Sequence, residues 1–212
     1  SMSGELWLYF TVTFVTCVTP GAGVLYTLTN AFRYGRSRAY LSPIGNMLGC
    51  AVMSVVSAAG LGAVITASPV LFTTLEIAGA LVLAWMGWKS WRARPLNLAK
   101  LGQMNASATD HKNTVGILTN AALLQLTNPM LIVFLLSLMP PFVHPENDYA
   151  ARMTLLIGIF LLTVLSVHLL YSYTAAFIAE HVQGERFSAV LNKTSAVLFW
   201  LCTALVISKV LA

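Results

Sequence analysis

A chain of 212 residues that is 58% apolar and only 9% charged, with a mean hydropathy of +0.77, lies far outside the composition of a soluble globular domain. Crossing a bilayer uses nearly all of its length, which excludes a separate soluble catalytic domain. Its formal charge of +5 is dispersed over several loops, so it reads as membrane topology and not as a nucleic-acid footprint.

Ser1 ahead of Met2 reads as a remnant of cloning. No basic stretch precedes the first apolar run, which is therefore expected to be a retained span and not a cleaved signal peptide. Six apolar segments follow, at about 6–31, 39–67, 69–91, 115–143, 151–179 and 189–211. Each reaches the roughly 20 residues that a hydrocarbon core requires.

The first segment is interrupted by Thr19-Pro20-Gly21. Proline there removes a backbone hydrogen bond and frees the carbonyl of Thr16, and unpaired backbone within a membrane is tolerated only inside protein or beside a cavity. Thr19 as an N-cap with Pro20 in the first helical position would start a half-helix, and Gly21 and Gly23 would let a ligand approach its backbone. The second segment opens on Gly45-x-x-x-Gly49, continued by Ser54, Ala58 and Gly62. Small residues at that interval suit close helix packing, either within the chain or in a homodimer, with the intramolecular contact preferred.

In the third segment Glu76 stands two turns in, about 10 Å from the outer end at 1.5 Å per residue, where interfacial solvation competes with a buried role. Trp85, Trp88 and Trp91 beside Lys89 and Arg92 read as an aromatic belt with snorkelling cations. The polar connection from Arg92 to Thr114 is expected to be mobile and only to link what flanks it. The fourth segment repeats the interruption at Asn128-Pro129, which frees the carbonyl of Gln125, while the Gln125 side chain is costly facing lipid. His168 lies deep in the fifth segment and is either a hydrogen-bonded core residue or a proton acceptor. Glu180 and His181 are placed at a solvated end. Cys17, Cys50 and Cys202 form no C-x-x-C and read as packing residues.

Loops after the first, third and fifth segments carry Arg33, Arg36 and Arg38, then Lys89, Arg92, Arg94, Lys100 and Lys112, then Arg186 and Lys193. The opposite side holds only Arg152 and Lys209, so the basic loops are expected to be cytoplasmic and both termini outward. The chain divides into halves at 3–88 and 115–212, joined by a cytoplasmic connection at 89–114. Three crossings per half force opposite orientations. Matched proline breaks in two inverted halves are the signature of a secondary-transporter site, and half-helix N-termini there favour an anionic group such as a carboxylate.

The residues also carry a resemblance. Thr19-Pro20-Gly21, Asn30-Ala31-Phe32-Arg33-Tyr34-Gly35-Arg36, Gly45-Asn46-Met47-Leu48-Gly49, Ala67-Ser68-Pro69, Gly79 to Gly87-Trp88-Lys89, and Asn128-Pro129 with Leu138-Met139-Pro140-Pro141-Phe142-Val143 resemble the LysE/RhtB family of amino-acid exporters over nearly the whole chain. That resemblance implies a six-helix bacterial inner-membrane carrier exporting amino acids or close metabolites in exchange for protons. Three positions depart from the family pattern. Ala22 replaces a usual Pro, Met130 replaces a frequent Lys, and Cys50 replaces a frequent Asp, the last of which disfavours a cationic substrate.

The resulting expectation is an all-α polytopic fold of six membrane helices in two inverted three-helix repeats, with the first and fourth broken near the midplane. Its function is export of a small, preferably neutral, amino acid. Thr19, Pro20, Gly21, Gly23, Gln125, Asn128 and Pro129 are the substrate-binding candidates, and His168 and Glu76 the candidates for proton coupling. No catalytic residue, metal ligand or cofactor is expected. The partners are the substrate, the lipid bilayer and protons, with a homodimer as an open option. Rival readings are a soft-metal exporter using Cys17, Cys50, methionines and His168, and a membrane-embedded substrate-capture subunit of a larger transporter. A membrane enzyme is the weakest, since H-E-x-x-H, G-x-S-x-G and P-loop patterns are all absent from the sequence.

Overall fold

In the computed structural model, residues 2–107, 112–182 and 184–212 are described, and all regular structure among them is helical. Ser1 and residues 108–111 of the central connection lie outside the described residues.

The first apolar segment is two helices, α1 (Met2–Val18) and α2 (Ala22–Tyr34), bent by 54° across the Thr19-Pro20-Gly21 break. The second and third are the unbroken α3 (Leu41–Ala67) and α4 (Pro69–Arg92). Ser68 separates them. Its hydroxyl caps α4 by accepting from the Leu71 N–H, with Pro69 in the first helical position.

After the short α5 (Leu98–Ala106), the fourth segment repeats the bend. The helices α6 (Thr114–Leu126) and α7 (Pro129–Leu138) are followed by a 3₁₀ turn to Phe142, and the axis turns by 58° at the break. The last two segments are α8 (Tyr149–Tyr173), continued by α9 (Ala175–His181), and α10 (Arg186–Leu211). Four helices are long and apolar enough to cross a membrane alone, and each bent pair raises the number by one, to six.

Two expectations need correction here. The fifth segment does not run as one helix to residue 179: it stops at Tyr173, and Thr174 turns the chain into α9. The central connection is also more than a linker. Asn97 caps α5 by accepting from the Lys100 N–H at 3.1 Å, and Leu98, Ala99 and Gly102 recur on one helical face. That face is buried against α2, where a Cβ on Gly102 would lie 3.0 Å from the Phe32 ring.

Packing exchanges between the halves. The helix α3 lies on α6 as α8 lies on α1, and α2 packs on α8 as α7 packs on α3, while α4 pairs with α10 and α3 with α8. Close approach of α3 to α6 comes from Gly45 and Gly49. A Cβ on either would sit 2.5 Å from the Leu118 carbonyl oxygen or 2.6 Å from that of Ala122. The small-residue face thus serves contact within the chain. At the far end of α4, Lys89 lies over Trp85 and Arg92 over Trp88. Lys193 of α10 lies 3.9 Å from the Trp91 ring centroid, an arrangement suited to a membrane interface.

Candidate functional site

The two breaks meet at one cavity of about 240 Å³. Its wall takes Thr16, Cys17, Thr19 and Gly21 to Val24 from the first broken segment, Asn46 and Cys50 from α3, Gln125 and Asn128 to Leu131 without Pro129 from the second, and His168 from α8. Met86, Phe134, Phe160 and Val164 complete an apolar side. No Asp, Glu, Lys or Arg is among the lining residues.

The two half-helix starts differ. At the second, Asn128 is the N-cap with Pro129 after it. The Asn128 side chain accepts from the Met130 N–H at 3.1 Å, so this end is largely satisfied from within. The carbonyl of Gln125, expected to be freed, accepts the Asn128 N–H at 3.1 Å. The first start falls two residues later than the sequence pattern suggests. Gly21, not Thr19, is the N-cap of α2, and with no side chain it caps nothing. Thr19 instead donates back to the Val15 carbonyl at 2.6 Å and meets the Ser195 hydroxyl of α10 at 2.7 Å. The first turn of α2 therefore presents backbone N–H donors at the cavity with no side-chain cap, together with the positive end of the helix dipole.

Gly23 lies where polar side chains from three other helices converge. A Cβ there would be 2.9 Å from Gln125 Nε2, 3.4 Å from Asn46 Oδ1 and 3.5 Å from His168 Cε1. Gln125 donates to Asn46 Oδ1 through a short hydrogen bond. His168, 5% exposed, holds its Nδ1 2.7 Å from the Thr27 hydroxyl. Tyr171, one turn beyond His168, donates to the carbonyl of Val18 and ties α8 to the chain entering the first break.

Of the proposed site residues, Thr19, Gly21, Gly23, Gln125, Asn128 and His168 share this cavity. Pro20 and Pro129 shape the breaks without lining it. Glu76 is not part of it. It lies in α4 at 7% exposure, and its Oε2 has no hydrogen-bond partner among the described residues, so burial and not interfacial solvation is its situation. Sequence reasoning missed Asn46, Thr27 and Ser195. A polar side chain within an apolar span is the signal for Asn46, which stands inside the small-residue motif of the second segment. Cys17, Cys50, Met86 and Met130 also reach the cavity, yet no group of three or more His, Cys, Asp or Glu among the described residues is placed to hold a metal ion.

A family profile described as LysE type translocator matches residues 14–209. A homoserine/homoserine lactone efflux protein of Salmonella typhi is 31% identical over 210 residues, covering 98% of both chains. An uncharacterized membrane protein of Vibrio cholerae is 30% identical over 95% of this chain and 96% of its own. A leucine efflux protein of an Enterobacter strain is 26% identical, covering 89% of this chain and 87% of its own. No solved structure matches.

Proposed function

The chain belongs to the LysE type translocator family, and from that premise we propose that it exports a small neutral amino acid, or a close zwitterionic relative such as homoserine, in exchange for protons. The observation that carries the reading is the cavity at the two breaks. Its uncapped α2 start and the Gln125 amide are donors for a carboxylate, and Asn46 Oδ1 is an acceptor for an ammonium group. Its apolar side, from Met86 to Val164, accommodates an uncharged side chain. With no acidic residue on the wall, a lysine or arginine side chain would enter unpaired, at a heavy desolvation cost.

The efflux named for two relatives supports the direction of transport. The basic loops support a cytoplasmic side for the connections after the first, third and fifth spans, and hence outward termini, in the bacterial inner membrane we propose as its location. Alternating access follows from rocking one half against the other around the cavity, with the glycines of the first break as hinges.

The test is counterflow in proteoliposomes. Vesicles are loaded with unlabelled homoserine, leucine, other neutral amino acids, lysine or arginine, and uptake of the labelled counterpart is followed with and without a pH gradient. Saturable exchange of a neutral amino acid, with lysine and arginine excluded, is the expected result. Folded protein that exchanges none of them would remove the carrier reading.

A further inference from the structure

Thr27 is buried at 1% exposure on α2, and its hydroxyl has one partner among the described residues, the His168 Nδ1 at 2.7 Å. Several threonines in the membrane helices give their hydroxyl proton to the preceding turn, whereas those of Thr13 and Thr29 have no partner among the described residues. Thr16 donates to the Val12 carbonyl at 2.7 Å, Thr19 to Val15 at 2.6 Å and Thr163 to Ile159 at 2.6 Å. Thr27 makes no such bond to the preceding turn. A buried hydroxyl has one proton to give, and leaving it unbonded is costly, so the proton goes to Nδ1, its one partner among the described residues.

Nδ1 must then offer its lone pair, and the proton of the neutral imidazole sits on Nε2. Nε2 makes no hydrogen bond among the described residues, while the ring lines the cavity with Cε1 near Gly23. Gln125 Nε2 has two N–H bonds and spends one on Asn46, which leaves one for the cavity. Around Gly23 there are thus three kinds of donor: the first N–H groups of α2, the second Gln125 N–H and the His168 Nε2–H.

We infer that Thr27 holds His168 as the neutral Nε2–H tautomer, so that the imidazole donates to the substrate carboxylate and does not serve as the proton acceptor of the cycle. The inference rests on the reading of this cavity as an amino-acid site. The other charged or titratable groups on the helices packed around the ring are few. Cys17 of α1 and Cys50 of α3 line the same cavity, and Tyr171 of α8 is engaged with Val18. Tyr26 of α2 points to the Ile117 carbonyl at 3.4 Å. No carboxylate lies on the wall to draw a second proton onto the ring. Thr27 is accordingly a positioning residue, acting on substrate through His168.

Two measurements on the full chain test this. In protein labelled with ¹⁵N-histidine and reconstituted in lipid, with His168→Gln used to assign the signal, His168 is expected to show a protonated Nε2 and a bare Nδ1. Thr27→Val should yield a mixture of tautomers, and Thr27→Ser should restore the wild-type pattern. In homoserine counterflow, loss of an oriented donor to a carboxylate should raise the half-saturating concentration about tenfold in Thr27→Val. Thr27→Ser should remain near wild type, and His168→Gln, which keeps an N–H donor, should exchange better than His168→Leu.

A protonated Nδ1 in the wild type, or a Thr27→Val variant with unaltered tautomer and half-saturation, overturns the inference. Should Thr27→Val not fold, the wild-type nitrogen signals decide it alone. If the wild type exchanges no amino acid at all, the carrier reading fails separately, whatever the tautomer.

Discussion

Glu76 is buried in α4, and its Oε2 has no partner among the described residues, which is costly enough in a membrane helix to call for a role. It stands apart from the cavity, whereas His168 is occupied with Thr27, so under the proposed proton exchange Glu76 is the stronger candidate to carry the proton. Glu76→Gln keeps the shape and removes the exchangeable proton. Counterflow at equal pH should persist in this variant, while stimulation of efflux by an inward proton gradient should disappear. Stimulation at the wild-type level would move the coupling to another residue. The sequence marks Glu76 and His168 together because both are ionisable within apolar spans, His168 the deeper of the two. Their different surroundings depend on which helices pack against each, and spacing along the chain does not encode that.

Among elements, α3 shows how much one face of a helix decides. Its glycines at 45 and 49 admit the α6 backbone, whereas Gly60 on the same helix faces open space. Gly49→Val forces a side chain onto the Ala122 carbonyl and should cost about 1–3 kcal/mol by overpacking. Gly60→Ala meets nothing and should be neutral, or stabilise by about 0.5–1 kcal/mol through helix propensity. Thermal unfolding in one detergent compares the two, and equal melting temperatures would refute the packing argument. The repeat of small residues was readable beforehand, but which helix filled it was not. The same holds for α5, whose cap and apolar stripe are short-range signals hidden within a polar stretch.

At the scale of the molecule, a polar cluster and an apolar one lie together on the side of the N-terminus. Glu5 of α1 bonds Arg152 of α8 at 3.2 Å and His144 at 2.8 Å, and Arg152 also donates to the Phe142 carbonyl at 2.8 Å. Beneath this latch, Tyr9, Val12, Leu138, Met139, Phe142 and Leu156 form a buried plug, with the Tyr9 hydroxyl donating to the Leu156 carbonyl at 2.9 Å. On this side α1 packs on α10 and α7 on α4, while α2 with α10 and α6 with α4, the equivalent pairs of the opposite side, are not closely packed. Halves of inverted topology that differ in this way correspond to a carrier closed on one face. Glu5→Gln weakens the latch. A partly exposed pair of this kind contributes about 1 kcal/mol, so the population open on that side should rise about fivefold. Labelling of Cys17 by an impermeant thiol reagent added from the N-terminal side, with Cys50 and Cys202 replaced by Ala, should increase accordingly. Unchanged labelling would mean that the apolar plug alone holds the face shut.

Composition and hydrophobic run length determined the class of fold, because a bilayer imposes one dominant constraint and satisfies it with apolar helices of a set length. The prolines at 20 and 129 determined where two of those helices break, because a missing N–H is a local covalent fact. What only the tertiary structure decided is the chemistry at the breaks. Thr19 has the composition of a cap, yet it is drawn to Ser195, and Gly21 takes the cap position and leaves donors bare. Asn46, Gln125, Thr27 and His168 are up to 141 residues apart and meet because α2, α3, α6 and α8 pack around Gly23. Hydrogen-bond partners of that separation are fixed by helix packing, and packing is a property of the whole chain.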